Sequence, residues 1–480
     1  MMQIPIRSCG LAIAVAITLA GCATPIAKPS IDNLPGRFVA TAASNMEPEA
    51  AWWDGFGDPV LSDLVRRAAR ENRDVRIAAE RVRAARSGET ISRSFLMPSV
   101  GVSASGLNQK SQYDSATRQL VPDAKVAAAG VDVSWEVDLS GRLRAGAAAA
   151  AADTMATEDG ARGVRLLVIT DVATNYFTLK GALRQLDTMR AIVAAQDETL
   201  RLVQARERAG LATSFDVERA KTDTSRAHAA IPPLETVAAV SRHRIAVLVG
   251  DQAFNAAAIV PFEGEATVPA TRAGQPADLL QRRPDLLAAK AQLDAANARR
   301  QQAAAEWFPR LFLGAAFGRQ GVDLNGSDLG AARFTNAAAL LAMPIFNAGR
   351  TQAVNDIAES AQTQSVIAYE DVIAKALEDV ENSLVALLQE QERSQSLRDA
   401  AESADLALTR ARSLYARGQV DLLPLLDAQR AQLATQLGAN DSNTQVLLDS
   451  VQLYKALGGG WQMFETSRPA AASGARPSHS

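Results

Sequence analysis

Few residues of this chain have a type and spacing that suit catalysis or metal binding. Three histidines occur, at positions 228, 243 and 479, and none has a second histidine or a cysteine at the spacing of metal ligands. Glu378, Asp379 and Glu381 form a cluster of acids, but they fall on the charged face of a predicted helix, where solvation is the expected role. No nucleophile motif or phosphate-binding loop is present. The sequence therefore predicts a protein that is not an enzyme and that holds no metal or dissociable cofactor.

Cys22 has distinctive chemistry because of what precedes it. Residues 1–21 contain one Arg and an apolar run of about a dozen residues, which is typical of a secretory signal peptide and too short for a membrane-spanning helix. The ending Leu19-Ala20-Gly21-Cys22 resembles a bacterial lipobox, in which the cysteine is acylated and becomes the first mature residue. We therefore predict a covalent lipid on Cys22. Ala23 rather than Asp follows it, which by resemblance to the sorting rules of bacterial lipoproteins favours the outer membrane over the inner one. The alternative is a small residue near an ordinary cleavage site.

Charge and hydropathy exclude two other classes of protein. Lys plus Arg (50) nearly balance Asp plus Glu (53), so there is no basic field for nucleic acid. After residue 22 no stretch has the roughly 18 apolar residues of a membrane helix, so any span must be made of strands. Cys9 lies within the signal peptide, which leaves one cysteine and no disulfide in the mature chain. Residues 22–51 contain four prolines and little periodicity, and we interpret them as a lipidated extended leader.

The longest regular segment is predicted to be one helix from Arg350 to Ala416. Gly and Pro are absent from 351–416, and apolar residues alternate at spacings of four and three, at positions 373, 377, 380, 384 and 387. At 1.5 Å per residue such a helix is roughly 100 Å long, which is too long for the core of a compact domain.

This helical segment occurs twice, which indicates an internal duplication. An offset of 208 places Gly141-Arg142 on Gly349-Arg350 and Gly210 on Gly418, and an offset of 211 places Pro98 on Pro309. We predict a first repeat over 52–255 and a second over 256–461, followed by a disordered tail over 462–480. Within the first repeat, Asp58-Pro59 is expected to cap a helix that continues to about Arg93.

Between the helices the period of the pattern changes to two. Apolar residues from Val131 to Leu139 alternate with polar ones, which predicts a hairpin at about 99–140 and its counterpart at about 310–346, with long polar loops at 106–126 and 318–334. Strands of roughly ten residues can cross a bilayer when tilted. Four strands cannot close a barrel, so several chains must contribute to one. The alternative is a pair of soluble hairpins packed on the helices.

Two motifs accompany the lipobox and the repeated helix–hairpin–helix unit. They are Tyr415-Ala416-Arg417-Gly418 leading to Leu425-Leu426-Asp427-Ala428-Gln429-Arg430, and the closing Tyr454-Lys455-Ala456-Leu457-Gly458-Gly459-Gly460-Trp461. In these features the chain resembles the outer membrane factor (TolC-like) family. The closing motif is similar to that of NodT-type lipoproteins of resistance-nodulation-division efflux systems.

The resemblance implies a fold that is mainly α with a transmembrane β-barrel. Three chains would form a 12-stranded barrel in the outer membrane, continuous with a periplasmic barrel of twelve helices. The homotrimer would be a passive conduit for drugs or other small molecules. Its partners would be a periplasmic adaptor (membrane fusion) protein and an inner-membrane resistance-nodulation-division pump, to which the choice of cargo would belong. The alternatives are a channel for type I protein secretion and a structural coiled-coil lipoprotein without a pore.

The resemblance also assigns roles at the periplasmic tip. Gly210 and Gly418 would form the turns that contact the adaptor. Leu423 would offer an apolar ring and Asp427 an acidic ring at the gate, and their counterparts at offset 208 are Phe215 and Arg219. An Asp427–Arg219 pair between neighbouring helices would hold the tip closed. The alternative for Asp427 is an ordinary solvated helix residue, and Pro424 makes the start of its helix an open question.

Overall fold

The structure is a computed structural model. It describes residues 26–29, 35–39, 50–110, 112, 114, 117, 123–251, 259–260, 268–269 and 274–465. Cys22 and most of the leader lie outside the described residues, as does the chain after 465.

Helices make up most of the described chain. In chain order the main helices and strands are α1 Pro59–Glu71, α2 Arg73–Ser94, β1 Ser99–Gln109, β2 Ala124–Val137, α3 Arg142–Arg208, α4 Ser214–Ala229, α5 Ile231–Leu248, α6 Pro284–Ala304, β3 Arg310–Leu324, β4 Ser327–Ala342, α7 Arg350–Ala416 and α8 Leu422–Ala456. Short helical turns lie at Trp52–Phe56, Pro276–Asp278, Leu279–Arg282, Ala305–Trp307 and Trp461–Phe464. None of the helices in the described part combines the length and the apolar character needed to cross a membrane.

The predicted long helix is confirmed, and it has a partner of equal length. α3 and α7 each contain 67 residues, and their first residues are 208 positions apart, as are their last. The absence of proline and the apolar repeat explain why both helices run uninterrupted. The segments that follow the two long helices differ. After α3 the segment is divided into α4 and α5, and Pro232 and Pro233 lie where α5 begins, whereas after α7 it is the single helix α8 of 35 residues.

The prediction of a single helix from Pro59 to about Arg93 is wrong, because the helix is interrupted at Asn72. The Asn72 side chain is buried. Its Nδ2 donates to the carbonyl of Leu248 (3.0 Å), and its Oδ1 accepts from the backbone N–H groups of Asp74 (2.8 Å) and Val75 (3.3 Å). Asn72 therefore caps α2 and fastens this junction to the end of α5.

Two antiparallel hairpins form one four-stranded sheet in the order β1-β2-β3-β4. The central pair, β2 with β3, places Val131 opposite Phe317. The predicted loop over 318–334 is wrong, because β3 and β4 continue to a two-residue turn, Asn325-Gly326, with positive φ at both residues (51° and 82°). Such a turn matches the twist of the flanking strands, so the hairpin needs no longer loop. The predicted loop of the first hairpin, 106–126, is wrong at both ends, because β1 continues to Gln109 and β2 begins at Ala124. Of the residues between the two strands, the structure describes 110, 112, 114, 117 and 123.

The chain divides into two compact units. The first contains the sheet and spans Met1–Ser30, Arg81–Glu158 and Ala288–Glu370. The second spans Ile31–Glu80, Asp159–Leu287 and Asp371–Ser480. It contains the C-terminal parts of α3 and α7 and the turns that follow both helices.

An aromatic cluster joins the beginning and the end of the second unit. Trp52 stacks on Tyr454 (5.1 Å between ring centroids), and its Nε1 donates to the carbonyl of Gly459 (3.2 Å). Trp53 stacks on Phe464 (5.7 Å). The prediction of a disordered tail from residue 462 is therefore wrong for 462–465, because packing on Trp53 orders the helical turn Trp461–Phe464.

Asp58 connects α1 to α3 within the same unit. Its carboxylate caps α1 by accepting from the backbone of Val60, and it also accepts from the Tyr176 hydroxyl (2.5 Å) and Lys180 Nζ (2.9 Å). Burial raises the pKa of Asp58, but the hydrogen bonds from Tyr176 and Lys180 outweigh burial and hold that pKa below its usual value. The start of α1 is thereby fixed on the long helix.

Candidate functional site

The two turns that follow the long helices have the same backbone geometry. Gly210 (φ 72°) and Gly418 (φ 70°) adopt the left-handed conformation, which favours glycine. After α3, the N–H of Gly210 donates to Glu207 (2.8 Å) and that of Leu211 to Arg206 (2.8 Å). The turn at Gly418 repeats this pair of bonds, which is the Schellman pattern of a helix end.

Arg206 joins one turn to the other. Its Nη1 donates to the carbonyl of Tyr415 (3.2 Å), and its guanidinium lies 4.6 Å from the centroid of the Tyr415 ring. The cation–π contact and the hydrogen bond act on the same partner, so the C-terminal ends of α3 and α7 are held side by side.

The helices that leave the two turns begin differently. α4 begins with a capping box, in which the Thr213 side chain accepts from the Asp216 N–H and the Asp216 carboxylate accepts from the Thr213 N–H. The bond from the Thr213 backbone, together with that from its hydroxyl, lowers the pKa of Asp216. α8 begins at Leu422, so Pro424 is its third residue, where a missing N–H leaves no helical bond unmade. The proline is therefore compatible with the helix that carries Leu423 and Asp427.

The first turns of α8 have a buried face and an exposed face. Leu422, Leu425 and Leu426 are buried in an apolar cluster with residues of the other helices, namely Val203, Ala220, Leu408 and Tyr415. Leu423 (45% exposed) and Asp427 lie on the opposite face, one helical turn apart. On α4 the counterpart of Leu423 is Phe215, which is 66% exposed. The candidate gate residues are thus free of the core that supports them.

The charges of the candidate gate are arranged around Arg430. Its Nη2 donates to both carboxylate oxygens of Asp223 (3.1 and 2.9 Å), and its Nη1 contacts Asp427 (3.3 Å). Asp223 is buried, whereas the Asp427 side chain is 58% exposed. Arg219 lies over the ring of Phe215, 5.4 Å from its centroid.

Within the described part of a single chain, no ion pair joins Asp427 to Arg219, so that pair stays a prediction for contacts between chains. Arg430 and Asp223 are the residues that sequence reasoning missed. The spacing of Asp427 and Arg430, three positions apart on one helix, was the available signal. Asp223 comes from α4, and no local pattern points to it.

Two further observations concern ligands. Cys22, the predicted site of the lipid, lies outside the described residues. Among the described residues no group of three or more His, Cys, Asp or Glu side chains is placed to hold a metal ion.

Comparison with known proteins gives one family. The model of the family described as outer membrane efflux protein matches residues 64–251 and 276–459. The outer membrane protein OprJ of Pseudomonas aeruginosa is 30% identical over 457 residues, which are 94% of this chain and 95% of OprJ. SilC of Salmonella typhimurium, described as a "probable outer membrane lipoprotein", is 28% identical over 466 residues, 94% of this chain and 98% of SilC. The solved structure of the outer-membrane channel OprN superimposes with a TM-score of 0.85 at 30% identity, over 92% of this chain and 100% of OprN.

The chain has two long helices and two β-hairpins, and it matches the channel OprN over nearly its whole length. These two observations define an outer-membrane channel. The chain belongs to the outer membrane efflux protein family, and the expected resemblance to TolC-like channels is confirmed. It is the outer-membrane component of an efflux system and a conduit rather than an enzyme. This excludes the alternative of a structural coiled-coil lipoprotein without a pore.

Proposed function

We propose that three copies of the chain form one conduit through the outer membrane. The observation that carries this proposal is the pair of free edges of the sheet: within the described residues, β1 and β4 each pair on one side alone. An open edge in lipid would leave backbone N–H and C=O groups without partners. β1 and β4 run antiparallel to each other, so β4 of one copy can continue the sheet at β1 of the next. Three copies of four strands give a closed barrel of twelve.

The exposed apolar side chains of the long helices support the same assembly. Along α7 these are Val354, Ile357, Ile367, Val385, Leu388 and Leu406, each at least 40% exposed. Side chains of this size at many turns of one helix need neighbouring helices. In the proposed trimer, twelve helices form the periplasmic tunnel. The first repeat, 52–255, and the second, 256–461, contribute equal shares, and each contains one of the two segments that the family model matches.

The proposed partners follow from this position in an efflux system. The turns at Gly210 and Gly418 are exposed at the end of the helix hairpins, and Leu211 beside the first turn is 70% exposed. We assign these tips to contact with a periplasmic adaptor protein, which links the channel to an inner-membrane resistance-nodulation-division pump. Leu423 and Asp427 then form the gate, with Phe215 and Arg219 facing them from the first repeat.

The trimer is tested by the mass of the purified protein. We expect native mass spectrometry in detergent to give a particle of three chains, because closing the barrel satisfies both sheet edges at once. The matched control is the same sample after heat denaturation, which should give the single chain. A stable single chain in mild detergent would contradict the proposed barrel.

Lipidation of Cys22 is tested by its replacement with serine. Cys22→Ser should abolish metabolic labelling with palmitate, because serine in a lipobox offers no thiol for the lipid. Trimers should persist, because the proposed barrel itself holds the protein in the membrane. Unchanged palmitate labelling of the variant would contradict the assignment of the lipid to Cys22. Besides the lipobox, the assignment is supported by the similarity to SilC, whose description is that of a lipoprotein.

A further inference from the structure

A buried amide side chain in the first unit binds the backbone of the leader. Asn297 on α6 is 8% exposed. Its Oδ1 accepts from the N–H of Ala27 (3.3 Å), and its Nδ2 donates to the carbonyl of Ala27 (3.5 Å). One side chain thus satisfies both backbone groups of one leader residue, as a neighbouring strand would.

A second buried amide orients the first. Gln362 on α7, also 8% exposed, donates from its Nε2 to Asn297 Oδ1 (2.7 Å). This contact fixes which end of the Asn297 amide accepts, so the Nδ2 group faces the Ala27 carbonyl. Buried amides are costly unless they are hydrogen-bonded. The leader therefore provides bonds that Asn297 needs.

The packing of this helix pair does not itself require the amide. At the offset of 211 that aligns the two repeats here, the counterpart of Asn297 is Arg86 on α2. Arg86 is exposed and makes an ion pair with Glu158 (2.8 Å). In the first repeat this position of the helix is thus filled by an exposed, ion-paired side chain and not by a buried amide.

Chain length limits how far residue 22 can lie from this site. Cys22 is five residues before Ala27, and an extended chain covers at most about 3.6 Å per residue, so the two Cα atoms are within about 18 Å. Asn297 is seven residues before the end of α6, roughly 10 Å along the helix axis, and β3 begins soon after at Arg310. The tether is therefore long enough to reach from Asn297 to the level where the strands begin.

We infer that Asn297, oriented by Gln362, is a binding site for the leader and that it confines the acyl anchor to the beginning of the barrel strands. The leader-binding part stands on the contacts above, and the confinement of the anchor rests on the proposed acylation of Cys22. The leader has a separate attachment in the second unit, where Phe38 is 2% exposed and the Val39 N–H donates to Glu381 (2.7 Å). Of these two attachments, the Asn297 site is the nearer to Cys22 along the chain.

The experiment measures the reactivity of a single thiol at Ala27→Cys with maleimide in the purified trimer. In the acylated protein Cys9 is removed with the signal peptide and the Cys22 sulfur carries lipid; where Cys22 is replaced by serine, Cys9 is replaced as well, so the thiol is unique. We expect Asn297→Ala to raise the reaction rate about tenfold, since it removes two neutral hydrogen bonds that keep the leader docked. Asn297→Asp, which still accepts from the Ala27 N–H, should give a smaller increase.

Two controls separate the leader from the body of the protein. Gln301→Ala changes an exposed residue one turn further along α6 and should leave the rate at Ala27→Cys unchanged. A half-buried thiol at Ala289→Cys on the same helix should react equally in the parent and in Asn297→Ala. If Asn297→Ala raises the rate at Ala289→Cys as well, the residue acts on packing and the inference is overturned.

The unmodified protein gives a second measurement if Asn297→Ala does not assemble. Pro25 and Pro29 lack N–H groups, so residues 25–29 contain three amides, at 26, 27 and 28. Hydrogen exchange resolved by fragmentation should show protection at Ala27 and little at its neighbours. The leader site is overturned if the amides of residues 26, 27 and 28 all exchange at unprotected rates. It is also overturned if the thiol at Ala27→Cys reacts with maleimide equally fast in the parent and in Asn297→Ala. Palmitate labelling of the parent reports acylation separately, so loss of the anchor proposal alone would leave the leader site standing.

Discussion

Leu423→Ser combined with Asp427→Ala is expected to raise the conductance of the channel in planar bilayers several-fold and to sensitise cells to large antibiotics. In the proposed trimer three copies of Leu423 surround the axis, and an apolar constriction of this kind resists wetting. The structure leaves Leu423 outside the buried cluster of its own helix, with 45% of its surface exposed. Serine removes the apolar barrier, and alanine at 427 removes the carboxylate that contacts Arg430.

Two controls accompany this pair of substitutions. The conservative pair Leu423→Ile with Asp427→Glu keeps both the apolar and the acidic ring, so its conductance should stay near that of the parent. Cys22→Ser changes the proposed anchor and should leave conductance unchanged. Unchanged conductance in the Leu423→Ser, Asp427→Ala double variant, with trimers intact, would place the constriction elsewhere and make Asp427 a solvated helix residue.

The parts of the fold that the sequence predicted are those with local causes. The bounds of α7 follow from a segment without Gly or Pro and with a sustained apolar repeat, and both signals act within one helix. The turns at Gly210 and Gly418 follow from the conformational freedom of glycine. Features that depend on distant partners were missed: the break at Asn72 is stabilised by the carbonyl of Leu248, 176 positions away.

The second hairpin was predicted, but the length of its strands was underestimated for a different reason. Its Asn325-Gly326 turn is a strong local signal, but the polar residues on either side were interpreted as loop. In β3 and β4 those residues pair directly, for example Arg319 with Arg333. The polar residues therefore indicate where the part of each strand that would face lipid ends. The pairing of β3 with β4 continues beyond that point, up to the turn.

The residues of the candidate gate also differ in whether the sequence alone could identify them. Its residues on α8 were found from a motif, whereas the charge that they contact was found from the fold. Arg430 is seven positions after Leu423 and on the same exposed face, but its main partner Asp223 is 207 positions away on α4. A contact between two helices of different repeats has no signature within either helix, so only the folded chain identifies it.

Arg430→Ala is expected to make the closed channel leaky and more cation-selective, although it changes neither predicted ring. Arg430 donates three hydrogen bonds to the buried Asp223 and one to Asp427, so its loss leaves two carboxylates per chain without that counter-charge. Hydrogen bonds to charged groups contribute about 1.5–3 kcal/mol. Because the Arg430 side chain is 45% exposed, solvent screening favours the lower end of that range.

In the proposed trimer six such carboxylates would then lie near one axis, and their repulsion favours the open tip. The increase in conductance should shrink in about 1 M salt, where the screening length falls to about 3 Å. Arg430→Lys keeps the charge but loses the paired hydrogen bonds, so it should raise conductance less than Arg430→Ala does. Adding Asp223→Asn to Arg430→Ala removes one of the two repelling charges in each chain, so it should reverse part of the increase in conductance. If Arg430→Ala trimers keep the conductance and ion selectivity of the parent, Arg430 only packs α8 against α4 and the closed tip is held by contacts between chains.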